Sequence, residues 1–191
     1  MMHTLNEFPF AKAKGIRMLI LDVDGVMTDG SIIMNDSGEE SKGFNVRDGH
    51  GIKMLQRAGI HLAILTGRTS GVVASRARDL GIEYVVQGSL KKTEGLDTLL
   101  VQAGLRAEDC AFMGDDIVDL PPMRRCRLSF APRDAHASVL KSVDWVATCD
   151  GGRGAVRLVA EGLILANGAW QQVVETPYGV TPADCGWPVS G

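Results

Sequence analysis

Four segments of the chain carry side chains whose types and spacing could do chemistry. An apolar run ends in the sequence DVDG and places Asp22 and Asp24 two residues apart. Thr66 follows a second apolar run, Lys92 opens a helix-like stretch, and Asp115 follows a third apolar run. A carboxylate nucleophile, a second carboxylate that carries a proton, and a cation that offsets their charge suit phosphoryl transfer. These residues therefore indicate hydrolysis of a phosphate monoester through an aspartyl-phosphate.

Each of these side chains has a role that its chemistry favours. We predict that Asp22 attacks phosphorus, and that Asp24 protonates the leaving alkoxide and then activates water. Mg²⁺, which prefers oxygen ligands, is expected between Asp22 and Asp115. Thr66 with the N–H groups after it, and Lys92, are expected to hold the phosphate oxygens. For the aspartate pair alone, the alternative is ordinary turn chemistry, in which the side chains cap backbone N–H groups.

A doubly wound parallel sheet would bring these segments to one edge. Apolar runs predict strands at 17–23, 60–65, 83–87, 110–114, 126–130 and 144–147. Segments of mixed polarity predict helices at 49–58, 69–80, 92–104, 117–124, 135–142 and 154–167. Such alternation is typical of an α/β fold with helices on both faces, whose ligands bind at the carboxyl ends of the strands.

Two segments depart from the alternation. Residues 29–46 predict a β-hairpin that turns at Asn35–Gly38. Residues after about 169 contain several prolines and predict an irregular tail over 171–191, which leaves a single domain over 1–170.

The spacing of the candidate residues leaves no room for an inserted cap domain. Only 43 residues separate Asp22 from Thr66, and only 22 separate Lys92 from Asp115. A phosphatase must still exclude bulk water from its site. We therefore expect a symmetric oligomer in which the 29–46 hairpin of one subunit covers the site of its neighbour.

Composition excludes several other classes of protein. A net charge of −3 gives no support for nucleic-acid binding. No apolar stretch reaches the length of about 18 residues that a membrane span needs, and the first residues contain no long apolar signal segment. The four cysteines lack CxxC spacing. We therefore expect a cytoplasmic protein with reduced thiols that binds a small anionic substrate.

The four segments resemble the signature motifs of the haloacid dehalogenase superfamily: DxDG, a strand-end Thr, Lys and GDDxxD. The second Asp of the first motif points to the phosphatase branch. Further runs, namely GEESKGFNVRDGHGIKML, LTGR, QGSLKK, GDDIVDLPPM and GGRGAV, are similar in order to bacterial 3-deoxy-D-manno-octulosonate 8-phosphate phosphatases over about residues 15–170. The resemblance implies a Rossmann-like fold of the haloacid dehalogenase type with a hairpin flap and no cap domain. It also implies a Mg²⁺-dependent phosphatase of lipopolysaccharide precursor synthesis that assembles as a homotetramer.

The resemblance also implies roles for individual residues. The metal ligands would be Asp22, Asp115 and the backbone carbonyl of Asp24. Lys53 stands where many relatives would have arginine, so the charge is kept but the bidentate fork is lost. The implied substrate-binding residues are Asp24, Asn45, Val46, Arg47, Asp48, Gly49, Lys53, Thr66, Gly67, Arg68, Arg76 and Lys92. Asp116 and Asp119 are predicted to orient the metal site or to cap the following helix.

Three other functions stay open at this point. One is a phosphotransferase or mutase, which would normally need a cap to shield the intermediate. Another is a non-catalytic oligomerisation module, which would tend to lose one of the acids or the lysine. The third is a phosphatase for a nine-carbon keto-sugar acid 9-phosphate, because one extra carbon changes binding by only about 1–3 kcal/mol.

Overall fold

The computed structural model describes residues 4–188, and a six-stranded parallel sheet forms its centre. The strands are β1 (Met18–Leu21), β2 (Ile33–Met34), β3 (Glu40–Ser41), β4 (His61–Leu65), β5 (Tyr84–Val86), β6 (Cys110–Met113), β7 (Leu128–Ala131) and β8 (Trp145–Val146). The order in the main sheet is β5-β4-β1-β6-β7-β8, and every neighbouring pair is parallel. The predicted doubly wound α/β fold is confirmed, and each of the six predicted strands forms.

Helices connect the strands. They are α1 (Phe10–Ala13), α2 (Val46–Arg57), α3 (Gly71–Leu80), α4 (Lys92–Ala103), α5 (Leu120–Met123), α6 (Ala137–Leu140), α7 (Ala155–Ala166) and α8 (Thr176–Tyr178). Short 3-10 turns lie at Leu5–Glu7, Ala107–Asp109, Ile117–Asp119 and Ala183–Cys185, and a π-helix lies at Gln171–Glu175. Among residues 4–188, none of the helices has the length and hydrophobicity needed to span a bilayer.

Strand β1 shows why the apolar runs become buried strands. All four of its side chains are buried, and they alternate between the two faces of the sheet. Leu19 and Leu21 belong to the hydrophobic cluster that includes α2 and α7, whereas Met18 and Ile20 belong to the cluster that includes α4 and α5. A strand buried on both faces needs a continuous apolar run. The first polar residue after such a run therefore lies at the edge of the sheet.

A two-stranded hairpin connects β1 to α2. Strands β2 and β3 pair antiparallel, and the N–H of Gly38 donates to the carbonyl of Asn35 across the turn (2.9 Å). The hairpin ends before the predicted residue 46, because Asn45 caps α2 and its side chain accepts from the N–H of Arg47 (2.8 Å). The hairpin and α2 fill the space between Asp22 and Thr66, and α4 fills most of that between Lys92 and Asp115.

The segment after residue 169 is helical over 171–178 and then has only a 3-10 turn at Ala183–Cys185, so the prediction of an irregular tail is wrong over 171–178. Two of its three prolines lie at helix starts, where proline is tolerated: Pro177 is in the first turn of α8, and Pro182 precedes a 3-10 turn. Trp187 is 2% exposed, and its indole N–H donates to Glu161 of α7 (2.8 Å). The ring of Trp187 also meets that of Phe8 edge to face, with centroids 5.6 Å apart. Residues 189–191 of the predicted tail lie outside the described residues.

Replacing Trp187 with alanine is therefore expected to lower the free energy of unfolding by about 3–5 kcal/mol, the usual cost of truncating a buried aromatic side chain. The loss would reflect both the cavity beside Phe8 and the unpartnered oxygen of Glu161. Urea unfolding measures it, with Gln172→Ala as an exposed control in the same segment. Equal stability of the two variants would show that the segment does not pack on the core.

Candidate active site

The end of β1 and the turn after it position the first two aspartates. The N–H of Asp22 donates to the carbonyl of Met113 (3.0 Å), which continues the pairing of β1 with β6 for one more residue. The chain then turns at Gly25, whose φ of 87° favours glycine. A side chain at Gly25 would overlap the carboxylate of Asp115. The glycine therefore allows the turn that contains Asp24 to lie against the acidic loop after β6.

Lys92 joins the ends of β1 and β6. It is the first residue of α4, and its side chain is 4% exposed. Its Nζ lies 2.9 Å from Oδ1 of Asp22 and 2.5 Å from Oδ1 of Asp119. Burial alone would lower the pKa of Lys92, but the charges of Asp22 and Asp119 outweigh burial and raise the pKa above its usual value. The ammonium group therefore stays charged beside the predicted nucleophile.

Asp119 organises the loop after β6. It is fully buried, and its Oδ2 accepts from the N–H groups of Asp115 and Asp116, each at 3.2 Å. Its Oδ1 accepts from Lys92, so both oxygens are engaged. The side chain of Asp116 accepts from the N–H of Ile117 (2.7 Å) and caps the 3-10 turn. These contacts support the orienting role predicted for Asp119 and the capping role predicted for Asp116.

The carboxylates of Asp22 and Asp115 are suited to bind a hard cation. Carboxylate oxygens of Asp22, Asp115 and Asp119 all lie within 4.8 Å of one another. Oδ1 of Asp22 is buried and has no hydrogen-bond partner, because Lys92 lies close to it but outside hydrogen-bonding geometry. Among residues 4–188, no donor pairs with the carboxylate of Asp115. An oxygen-seeking ion such as Mg²⁺ fits this arrangement, with Asp22 and Asp115 as its side-chain ligands.

Burial and mutual repulsion change the acidity of these two groups. Burial, followed by repulsion from Asp119, raises the pKa of Asp22 to about 6. Burial, followed by repulsion from Asp22 and Asp119, raises the pKa of Asp115 to about 7. Both values are above those of the unfolded chain, so the folded state binds extra protons between about pH 4 and pH 7. Its stability therefore falls as the pH rises through this range.

Mg²⁺ is expected to raise the melting temperature more at about pH 8 than at about pH 5.5. The cation replaces the protons on Asp22 and Asp115, so it offsets their repulsion at high pH and competes with protons at low pH. Thermal unfolding with Mg²⁺ and with chelator at the two pH values measures the difference. Asp115→Asn should remove most of the shift. A shift that does not depend on pH would contradict the assignment of these ligands.

The base of the hairpin contributes charged groups that the sequence analysis did not single out. Lys42 forms an ion pair with Oδ1 of Asp24, and Nε of Arg68 lies 3.7 Å from Oδ2 of the same carboxylate. Glu40 accepts from Ser70 Oγ (2.6 Å) and from Arg68 (2.8 Å). The spacing of Glu40 and Lys42 in the sequence could have indicated this pair, because side chains two residues apart in extended chain share one face. Glu40 lies in β3 and Lys42 follows it directly.

Thr66 and Gly67 lie at the end of β4. Thr66 is 3% exposed, and its N–H donates to the carbonyl of Val86 (3.0 Å). Its Oγ1 accepts from the N–H of Arg68 (3.4 Å), which fixes the turn that contains Gly67. The side chain of Arg68 then reaches Asp24. The structure thus brings Asp22, Asp24, Thr66, Gly67, Arg68, Lys92 and Asp115 to the carboxyl edge of the sheet.

The other predicted substrate-binding residues form a second group around α2 and α3. Asn45, Val46, Arg47, Asp48 and Gly49 lie at the start of α2, Lys53 lies further along it, and Arg76 lies on α3. Within residues 4–188, no hydrogen bond or ion pair joins this group to the aspartate site. Their contact with substrate stays a prediction.

Two members of this group have contacts of their own. The Asp48 carboxylate accepts from the N–H groups of Gly154 (3.2 Å) and Arg157 (2.8 Å), so its side chain caps α7, and its contact with substrate stays a prediction. Arg76 donates to Asp79 (2.6 Å), but its buried Nε has no partner.

The sheet order, the paired aspartates of the first turn and the acidic loop after β6 define the class of protein. The chain is a hydrolase of the haloacid dehalogenase superfamily, and a hydrolase of this superfamily from Legionella pneumophila matches it at 38% identity with a TM-score of 0.84. That match covers 90% of this chain and 93% of the Legionella chain.

A narrower assignment follows from the curated relatives. The chain is 46% identical over 158 residues to KdsC of Escherichia coli K12, a 3-deoxy-D-manno-octulosonate 8-phosphate phosphatase. The aligned residues cover 83% of this chain and 84% of the relative. The chain belongs to this phosphatase family. The same enzyme from Yersinia pestis matches in structure with 42% identity and a TM-score of 0.83, over 86% of this chain and 89% of that one. No family model matches the chain.

A third relative is described with its ligands. The 3-deoxy-D-manno-octulosonate 8-phosphate phosphatase of Moraxella catarrhalis, solved with magnesium, phosphate and a KDO molecule, is 38% identical with a TM-score of 0.84. The match covers 87% of this chain and 96% of that one.

Proposed function

We propose that this chain is a Mg²⁺-dependent phosphatase that hydrolyses 3-deoxy-D-manno-octulosonate 8-phosphate to the free sugar acid and inorganic phosphate. The observation that carries the proposal is the buried Asp22. Its Oδ1 forms no hydrogen bond and lies 2.9 Å from Lys92 Nζ, and one of its carboxylate oxygens lies within 4.8 Å of carboxylate oxygens of Asp115 and Asp119. The substrate is supported by the relative of 46% identity and by the Moraxella enzyme in complex with magnesium, phosphate and KDO.

Two displacements account for the reaction. In the first, an oxygen of Asp22 bonds to phosphorus, the bond from phosphorus to the sugar oxygen breaks, and Asp24 gives its proton to that oxygen. In the second, Asp24 takes a proton from water, the water oxygen bonds to phosphorus, and the bond to Asp22 breaks. Lys92 and the backbone after Thr66 hold the non-bridging oxygens. When bound, Mg²⁺ polarises the phosphoryl group and offsets the negative charge.

The alternatives receive less support. A non-catalytic module would not need Asp22, Lys92 and Asp119 in a buried charged cluster, since burial of charge is costly. A phosphotransferase would normally need a cap, and between Asp22 and Thr66 the structure has only a hairpin, one helix and strand β4. A nine-carbon keto-sugar acid 9-phosphate differs little in chemistry from the eight-carbon substrate, so it must be tested directly.

Phosphate release from a panel of sugar phosphates tests the proposal. The eight-carbon and nine-carbon keto-sugar acid phosphates are compared with common aldose phosphates, each with Mg²⁺ and with chelator. We expect the highest kcat/KM for the eight-carbon substrate and no turnover with chelator. Metal-dependent activity spread evenly over the panel would overturn the substrate assignment. No phosphate release from any member would overturn the enzyme assignment.

We also propose that the protein acts in the cytoplasm as a homo-oligomer, with a tetramer as the expected form. The support comes from the hairpin, where three consecutive side chains, Ile32, Ile33 and Met34, are each more than half exposed. Exposed contiguous apolar groups are typical of an interaction surface. A second copy of the chain would bury them and bring its hairpin over the neighbouring site.

The double substitution Ile33→Asp with Met34→Asp should lower the molecular mass measured by light scattering and also lower kcat/KM. Val101→Asp, at an exposed position, should change neither. Full activity of a monomer would exclude this arrangement.

A further inference from the structure

Lys42 is an unusual lysine because almost none of its side chain meets solvent. Its side chain is 1% exposed, although it lies just after the short strand β3 of a surface hairpin. A lysine is rarely buried unless it is paired. Lys42 is paired with two carboxylates: it contacts Oδ1 of Asp24, and its Nζ lies 3.2 Å from Oε1 of Glu40.

Glu40 fixes the position of this lysine. The hydroxyl of Ser70, with help from Arg68 and Lys42, lowers the pKa of Glu40 to about 2, so Glu40 stays ionised. Ser70 Oγ donates to Oε2 (2.6 Å) and Arg68 donates to Oε1 (2.8 Å), so both carboxylate oxygens are held from the loop before α3. Lys42 is therefore held between an anchored anion and Asp24, and its ammonium group has little freedom to move.

Both oxygens of Asp24 consequently face a cation. Lys42 meets Oδ1, and Nε of Arg68 lies 3.7 Å from Oδ2. A carboxyl group that protonates a leaving oxygen must be held within hydrogen-bonding reach of that oxygen, because small displacements cost much of the rate. We propose that Lys42 is a positioning residue that orients the Asp24 carboxyl group for proton transfer to the leaving oxygen. This inference rests on the proposed phosphatase function.

The proposal separates substrates by their need for a proton. A sugar phosphate leaves as an alkoxide and depends on the acid, whereas p-nitrophenyl phosphate leaves as a stable phenolate and depends on it much less. Loss of Lys42 should therefore affect the sugar phosphate far more than the aryl phosphate. A lysine that merely supported the hairpin would affect both substrates alike.

The experiment measures kcat and KM on the best sugar phosphate of the panel and on p-nitrophenyl phosphate for the full-length protein. Lys42→Met is expected to lower kcat by about 10²-fold on the sugar phosphate and by less than about fivefold on the aryl phosphate, the scale of general acid catalysis. Lys42→Arg should restore much of the loss, since it keeps the charge. Lys141→Met, at an exposed lysine, is the matched control.

Three outcomes would overturn the proposal: equal losses on the two substrates, no loss on either, or a loss confined to KM. Glu40→Gln provides a second variant if Lys42→Met does not fold, because it weakens the contact that holds Lys42. It should also lower kcat more on the sugar phosphate than on p-nitrophenyl phosphate. Asp24→Asn should show the largest ratio between the loss of kcat on the sugar phosphate and the loss on p-nitrophenyl phosphate. Adding Lys42→Met to Asp24→Asn should change that ratio little. Failure of the proposed function is distinct, since the wild-type protein would then release phosphate from neither substrate.

Discussion

Replacing Asp22 with asparagine is expected to lower kcat at least about 10³-fold, the scale on which loss of a nucleophile usually acts. The amide has nearly the shape of the carboxylate, so the change removes the attacking oxygen and the negative charge but little packing. Oδ1 of Asp22 is also buried, forms no hydrogen bond and lies 2.9 Å from the ammonium group of Lys92. Steady-state release of phosphate measures the loss.

A second measurement separates the nucleophile from a binding role. Acid quenching of the wild-type enzyme during turnover should trap a phosphoprotein that Asp22→Asn lacks, whereas a binding residue would leave the trapped amount unchanged. Asp97→Asn makes the same chemical change at an exposed ion pair with Arg125 and should leave kcat unaltered. Turnover near the wild-type rate in Asp22→Asn would exclude the covalent route.

Replacing Gly151 with alanine is expected to damage the site from a distance in sequence of more than a hundred residues. A Cβ at Gly151 would overlap the carbonyl oxygen of Gly25, which belongs to the turn that carries Asp24. The obstructing atom is backbone, so no side-chain rotation can relieve the overlap. The neighbouring hydrogen bond from the N–H of Gly152 to the carbonyl of Val26 (2.9 Å) holds the two loops together, so one loop must withdraw.

We expect Gly151→Ala to lower the free energy of unfolding by about 1–3 kcal/mol, as overpacking usually does. Displacement of the turn by about 1 Å should also lower kcat by about 10²-fold. Urea unfolding and steady-state kinetics measure the two effects. Gly71→Ala is the control, because a Cβ there meets nothing within 4 Å and the residue begins α3. If Gly151→Ala matched that control in both measurements, the loops would not be in close contact.

The parts of the site that follow strands could be predicted from the sequence. Continuous apolar runs such as that of β1 are buried on both faces, and the next polar residue must lie at the sheet edge. For this reason the local pattern alone predicts that Asp22, Thr66 and Asp115 lie at one edge of the sheet. The hairpin was also predictable, because Asn35 and Gly38 supply the chemistry of its turn.

Other features depend on partners distant in the chain, which a local pattern does not reveal. The side chain of Asp48 caps a helix that begins more than a hundred residues later. Proline content suggested an irregular tail, yet Trp187 buries its ring against Phe8 near the other end of the described chain. The pairing of Lys42 with Asp24 likewise needed the three-dimensional path of the hairpin.

The contact between Phe8 and Trp187 has a consequence for the order in which the protein is made. Phe8 also stacks on Phe130 of β7, with ring centroids 5.6 Å apart, so it lies between the central sheet and the C-terminal segment. During translation Phe8 leaves the ribosome long before Trp187 does. The nascent chain can form the sheet and assemble the aspartate edge while this corner of its core still lacks a cover.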